Sequence, residues 1–225
     1  MPTRDSILPG PQAALLTRLK ETAELGYTLY GGTAIALHLG HRQSVDFDFF
    51  SDRRLDRDEL RRRMPFLTDS ITIQDESDAW TILTAPDDHA ERSVKVSFIA
   101  NLSFGRVDDP SFTTRRELLV ASPIDLLGHK LKVLLQRVEA KDYQDIAALL
   151  RSGLALEQGL GAARALFGAP FAPAEALRAL TYFEGGDLQR LSVSDRTILL
   201  HAARLRHPIP TVTIRGRELA PNNPP

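Results

Sequence analysis

Residues 45–50, VDFDFF, constrain the fold more than any other stretch of the chain. Acidic and aromatic residues alternate there. An extended strand therefore carries Asp46 and Asp48 on one face and Phe47 and Phe49 on the other. The flanking segments predict what surrounds it. Apolar residues at 15, 16, 19, 23 and 25 predict a helix over 11–25 that stops before Gly26. Residues 27–30 form a short β-prone run, and 33–39 an apolar helix closed by Gly40. Residues 58–64 read as a charged helix, and 70–74, 80–84 and 94–99 as strands separated by Asp-rich turns. The character changes near Pro110, and from Ser122 onward the period is helical, over 123–138, 141–152, 156–167, 173–182 and 194–206. These readings predict an α+β chain: a small mixed sheet with flanking helices over 1–117, a helical lobe over 118–219 and a disordered tail over 220–225. A cleft between two such lobes is a usual place for a ligand.

Composition narrows the partners. The 225 residues carry a net charge of −1, so no global field draws the chain to nucleic acid or anionic lipid. A nucleic-acid partner has to be held by a local basic patch. The absence of cysteine excludes disulfides, thiolate metal sites and a cysteine nucleophile, and it suits a reducing compartment. Residues 1–10 hold no apolar core of the length a signal peptide needs, and no stretch approaches the roughly 20 apolar residues of a membrane span. The expectation is a cytoplasmic protein with no membrane partner.

The chemistry concentrates in residues 30–51, YGGTAIALHLGHRQSVDFDFFS. Asp46 and Asp48 share a strand face with Cα atoms about 6.5–7 Å apart, and two such carboxylates repel unless a cation lies between them. Hard oxygen ligands at that spacing suit Mg²⁺, which keeps coordination positions for substrate phosphates. Gly31-Gly32 runs straight into a helix, which turns backbone N–H groups toward a phosphate, and Thr33 offers a hydroxyl. Taken singly, an Asp-x-Asp is a solvated sheet face, Gly-Gly a turn and Thr33 a cap. Together they stand in the order that brings a phosphate and a metal to one place. In the loop before the strand, Arg42 suits bidentate contact with a triphosphate or a surface pairing with Asp46 or Asp48, beside His41 and Ser44.

The glycine pair, helix and Asp-x-Asp strand resemble the first motif of the nucleotidyltransferase superfamily. More narrowly, GGTAIALHLGHRQSVDFDFF resembles the AbiEii/AbiGii-type toxin nucleotidyltransferases. The stretch SPIDLLGHKLKVLLQRVEAKDYQDIAALL is similar to that family's helical signature: a Lys on one helix, then Lys/Arg-Asp-aromatic-x-Asp opening the next. The resemblance implies that Asp46 and Asp48 hold Mg²⁺ on an incoming NTP, with Gly31, Gly32 and Thr33 against its phosphates. It implies a catalytic or phosphate-binding role for Lys130 and a late acidic role for Asp145. The family is associated with bacterial toxin–antitoxin and phage-defence systems, and some members act on the 3′ end of tRNA. The implied partners are an NTP, a tRNA acceptor and a cognate antitoxin.

Physical pattern bears on these residues separately. Ile124, Leu127, Leu131, Leu134, Leu135 and Val138 form one stripe, with Lys130 at its border and Lys132 further toward solvent. Asp145 points away from the apolar face of its own helix, as a surface acid near a helix start does. The superfamily often supplies a third carboxylate from a later strand, and the matching position here is Ser97. Either Asp145 or Asp142 substitutes, or the acceptor needs no strong base, or the chain is a nucleotidyltransferase-fold binding module without turnover. The arginines at 53, 54, 57, 61, 62 and 63 suit an RNA backbone or a solvated helix face. His38, His89, His129, His201 and His207 show no zinc-ligand spacing.

Overall fold

The alternating stretch forms its strand and occupies the middle of a sheet. The computed structural model describes residues 4–84 and 93–221, so His89 and residues 222–225 lie outside the described residues. Seven strands run β1 (Thr28–Tyr30), β2 (Asp46–Phe50), β3 (Ile71–Glu76), β4 (Ala79–Thr84), β5 (Val94–Ile99), β6 (Ser111–Phe112) and β7 (Leu119–Val120). Their order in the sheet is β3-β4-β5-β2-β1-β7-β6, which makes β2 the central strand. It pairs antiparallel with β1 and parallel with β5, so Asp48 is fixed from both sides and Asp46 from the β5 side. With its accompanying helices, the fold is mixed α+β.

The aromatic face of β2 explains why the strand is buried there. Phe47, Phe49, Val96 and Phe98 are all fully enclosed, and Trp80 and Ile82 of β4 join them. Phe49 stacks on Phe98 at 5.6 Å and Trp80 on Phe98 at 5.8 Å. Each enclosed aromatic contributes about 2–3 kcal/mol of burial, and each well-placed ring pair about 1 kcal/mol more. Helix α1 is Gly10–Leu16, and α2 (Gly31–Leu39) is apolar on every side with Ala34, Ile35, Ala36 and Leu37 enclosed. Gly40 closes α2 in the left-handed region (φ 63°), donating to the Ala36 carbonyl. Helix α3 is Arg57–Arg63, capped by the Asp56 side chain on the Glu59 N–H.

The described residues divide into two compact units. The first takes those of Met1–Gly105, Asp109–Ser122 and Gly216–Pro225; the second takes Arg106–Asp108 and Pro123–Arg215. The first unit extends past residue 117 because Leu119–Val120 adds to the sheet beside β1. The expected tail also begins inside this unit. The Leu219 N–H donates to Asp52, the Thr28 hydroxyl donates to the Leu219 carbonyl, and Ala220 is buried. A segment so anchored is part of the fold as far as Ala220.

The second unit holds α4 (Pro123–Val133), α5 (Ala140–Arg151), α6 (Leu156–Phe167), α7 (Pro173–Thr181) and α8 (Val193–Ala202). Helices α4 and α6 pack closely enough that a Cβ on Gly159 would lie 2.5 Å from the Leu127 side chain. The Asp125 carboxylate receives the N–H groups of Val107 and Asp108, which ties that short segment to this unit. Helix α4 stops at Val133, short of the expected 138. Val138 is exposed, and the intervening turn brings Arg137 back onto Asp142.

Candidate functional site

One face of the central strand, the start of α2 and the loop between them meet at a single place. Asp46 and Asp48 project from the face opposite Phe47 and Phe49, and both are half-buried. Tyr30 is the N-cap of α2 and supplies no side-chain cap, and the first N–H groups of a helix have no acceptor within it. Gly31 has φ +72°, and a Cβ there would stand 2.6 Å from Asp48 Oδ2. A Cβ on Gly32 would stand 2.4 Å from an Arg42 terminal nitrogen and 3.1 Å from Ser44 Oγ. The two glycines are the only residue type that lets an aspartate, an arginine and a serine close on the same helix start. Gln12 fixes the approach to the strand by donating to the Val45 carbonyl at 2.8 Å, and Arg42 Nη1 donates to the Gln43 carbonyl at 3.0 Å.

Thr33 has a structural task. Its buried hydroxyl donates to the Asp46 backbone carbonyl and ties α2 to β2, so the expected hydroxyl contact to a phosphate is not what its side chain does. On the strand beside β2, parallel pairing sets Lys95 against Asp46 and Ser97 against Asp48. Lys95 Nζ lies 2.6 Å from Asp46 Oδ2. Ser97 is buried at the position where the superfamily's third acid falls. Lys95 did not emerge from the sequence, yet the signal was there: Lys95 and Ser97 alternate as Asp46 and Asp48 do, and pairing the two strands puts them together.

The donor set fits a magnesium ion that arrives with a nucleotide. It offers hard carboxylate oxygens from two residues, Asp46 and Asp48, on one strand face. Such an ion would leave its other positions to water and phosphate oxygens, as Mg²⁺ prefers. The neighbouring helix start, guanidinium and hydroxyl are groups that bind anions.

A second cluster lies in the other unit. Lys130 Nζ sits 2.7 Å from Asp142 Oδ1 and 2.8 Å from Asp145 Oδ2, with all three side chains buried. Asp145 is thus not the surface acid its helix position suggested; it faces a buried ammonium. Arg137 Nε donates to Asp142 Oδ2 at 2.8 Å. Burial pushes the Asp142 carboxyl up, but the Arg137 hydrogen bond and the Lys130 charge outweigh it and hold the group below the ordinary carboxylate range. Next to the lysine, burial and then the Lys130 charge lower His129 to about 3, which keeps that imidazole neutral. Lys132 points elsewhere, onto the Pro170 carbonyl at 2.8 Å.

The remaining candidates have ordinary roles. Arg63 pairs with Glu21 and Glu24, Arg62 with Glu59, Arg57 with Asp75, and Arg61 lies 4.9 Å over the Trp80 ring. Arg57, Arg62 and Arg63 are thus paired with acids and Arg61 with a ring, while Arg53 and Arg54 are exposed. His38 is buried against the Ala121 carbonyl at 2.8 Å, and burial lowers its pKa.

A glycine turn, a helix start and an acidic central strand define a chain of the nucleotidyltransferase class. Comparison with protein families makes this specific: residues 14–206 match the family described as nucleotidyl transferase AbiEii toxin, type IV toxin–antitoxin system, and the chain belongs to that family. A search of curated proteins finds no match. The family name carries nucleotidyl transfer as the activity and implies a cognate antitoxin as partner. No helix among the described residues is long and apolar enough to cross a membrane.

Proposed function

We propose that this protein transfers a nucleotide from an NTP to the end of a tRNA, with Mg²⁺ held by Asp46 and Asp48, in the cytoplasm of a cell that also makes its antitoxin. The observation that carries this reading is the convergence of Asp48, Arg42 and Ser44 on Gly31 and Gly32 at the start of α2. The triphosphate lies against that helix start, where Gly31, Gly32 and Thr33 present N–H groups and the macrodipole favours negative charge. Arg42 takes phosphate oxygens as a planar fork, and Ser44 adds a hydroxyl. Mg²⁺ at the two aspartates supplies charge neutralisation. The acceptor hydroxyl oxygen attacks the α-phosphorus, the Pα–O bond to the β-phosphate breaks as the new P–O bond forms, pyrophosphate leaves and the hydroxyl proton passes to water, so positioning and charge dominate the barrier.

Lys130 serves as the lysine of the family signature. Asp142 and Asp145 orient its ammonium, which makes Asp145 a positioning residue for Lys130. One observation favours a second reading: Ser97, in register with Asp48, is neither acid nor base at neutral pH. On that reading the chain binds nucleotide without turnover.

Calorimetry tests the site. NTP–Mg²⁺ binding to the wild type should weaken by at least tenfold, about 1.4 kcal/mol, in the Asp46→Asn/Asp48→Asn protein. The fold should survive, because two like charges are removed from one face. Unchanged affinity in the double variant sinks the proposed site.

A further inference from the structure

The acidic face contains a cation of its own. Strands β2 and β5 run parallel, so Lys95 stands beside Asp46 with Nζ 2.6 Å from Oδ2. The pair is not buried: the lysine side chain is 38% exposed and the aspartate 34%. Ion pairs with that much solvent contribute about 1 kcal/mol or less, so a stronger cation displaces this one at small cost. A lysine ammonium rides on a flexible four-carbon stem with three rotatable donors, and it can leave one oxygen for another without moving the strand. The ammonium takes one of the two Asp46 oxygens open to a metal.

From this geometry we infer that Lys95 is a resident counter-ion of Asp46. It competes weakly with free divalent cations, and it transfers to the triphosphate when metal and nucleotide arrive together. The inference rests on the reading of Asp46 and Asp48 as metal ligands. In the nucleotide-free protein the ammonium competes with any cation for Asp46 Oδ2, so metal alone binds less tightly. The metal–nucleotide complex brings phosphate oxygens that give the displaced ammonium a new partner. The exchange leaves neither Asp46 nor Lys95 without an opposite charge. Lys95 is then a positioning residue for metal entry in the empty state and a phosphate contact in the loaded state.

The test uses the whole chain with Mn²⁺ as the metal probe. Mn²⁺ alone is titrated into the wild type, Lys95→Met, Lys95→Arg and Asp46→Asn/Asp48→Asn, with free Mn²⁺ read by electron paramagnetic resonance. NTP–Mg²⁺ affinity is measured by calorimetry on the same four proteins. Lys95→Met should bind Mn²⁺ alone about fivefold more tightly, the equivalent of the lost ion pair, and NTP–Mg²⁺ more weakly. Lys95→Arg, which keeps a cation on Asp46, should return the Mn²⁺ affinity toward wild type. If Lys95→Met leaves the Mn²⁺ affinity unchanged while the double aspartate variant abolishes binding, the lysine is a bystander and the inference is overturned. If the double aspartate variant binds Mn²⁺ and NTP–Mg²⁺ as the wild type does, the metal-site reading itself falls, whatever the lysine does.

Discussion

Gly31 and Gly32 are neighbours in sequence but serve the site in different ways. Gly31 sits at φ +72°, where an L-side chain is strained by about 1–2 kcal/mol, and a Cβ would also press on Asp48 Oδ2. Gly31→Ala should therefore lower unfolding free energy by about 1–2 kcal/mol and weaken nucleotide binding as Asp48 is displaced. Gly32 has no such backbone demand. Its added methyl would meet the mobile end of Arg42, so Gly32→Ala should leave stability within about 0.5 kcal/mol. Nucleotide affinity should still fall, because the guanidinium is pushed from the helix start. Urea unfolding and calorimetry on the two variants separate these effects. Wild-type nucleotide affinity in Gly32→Ala would remove Arg42 from the binding site.

At the scale of elements, the α4–α5 cluster is a buried ion-pair network whose stability can be tested. Removing Lys130 leaves the buried Asp145 and Asp142 short of a counter-charge, and breaking a buried pair in this way costs about 3–5 kcal/mol. Lys130→Met should destabilise the protein by that order in urea, and Lys132→Ala by about 0.5 kcal/mol or less, since its ammonium serves one exposed carbonyl. Equal destabilisation by the two would contradict the cluster. The pH sense follows from Asp142, whose carboxyl is held below its ordinary range. That stabilisation is fully present above the unfolded value near 4, as carboxylates go, and is lost as pH falls through the folded value.

Period carried the reading of most elements. The strand at 94–99 and the helix at 156–167 lie where alternation and the helical repeat put them. Two kinds of feature were not visible. Strands β6 and β7 are two residues each, too short to show alternation, and they exist because Leu29 and Val120 pair across a long separation. Lys130 between two aspartates is likewise a product of packing at a distance, and the alternation of Lys95 and Ser97 gave their common face but not the strand they pair with. Asp46, Asp48 and the glycine turn were legible because alternation and helix initiation are local rules.

For the whole molecule, a net charge of −1 gives no general attraction for RNA, and Arg57, Arg62 and Arg63 are already paired with acids. On the proposed function, an RNA acceptor is recognised by specific contacts rather than by a general field. The most direct measurement is label transfer: wild type and Asp46→Asn/Asp48→Asn incubated with each α-³²P-labelled NTP, Mg²⁺ and total tRNA, with the RNA resolved on a denaturing gel. The account predicts label in tRNA from at least one NTP with the wild type, none when EDTA replaces Mg²⁺ and none with the double variant. Label that persists in the double variant, or a wild type that labels no RNA with any NTP, would contradict it.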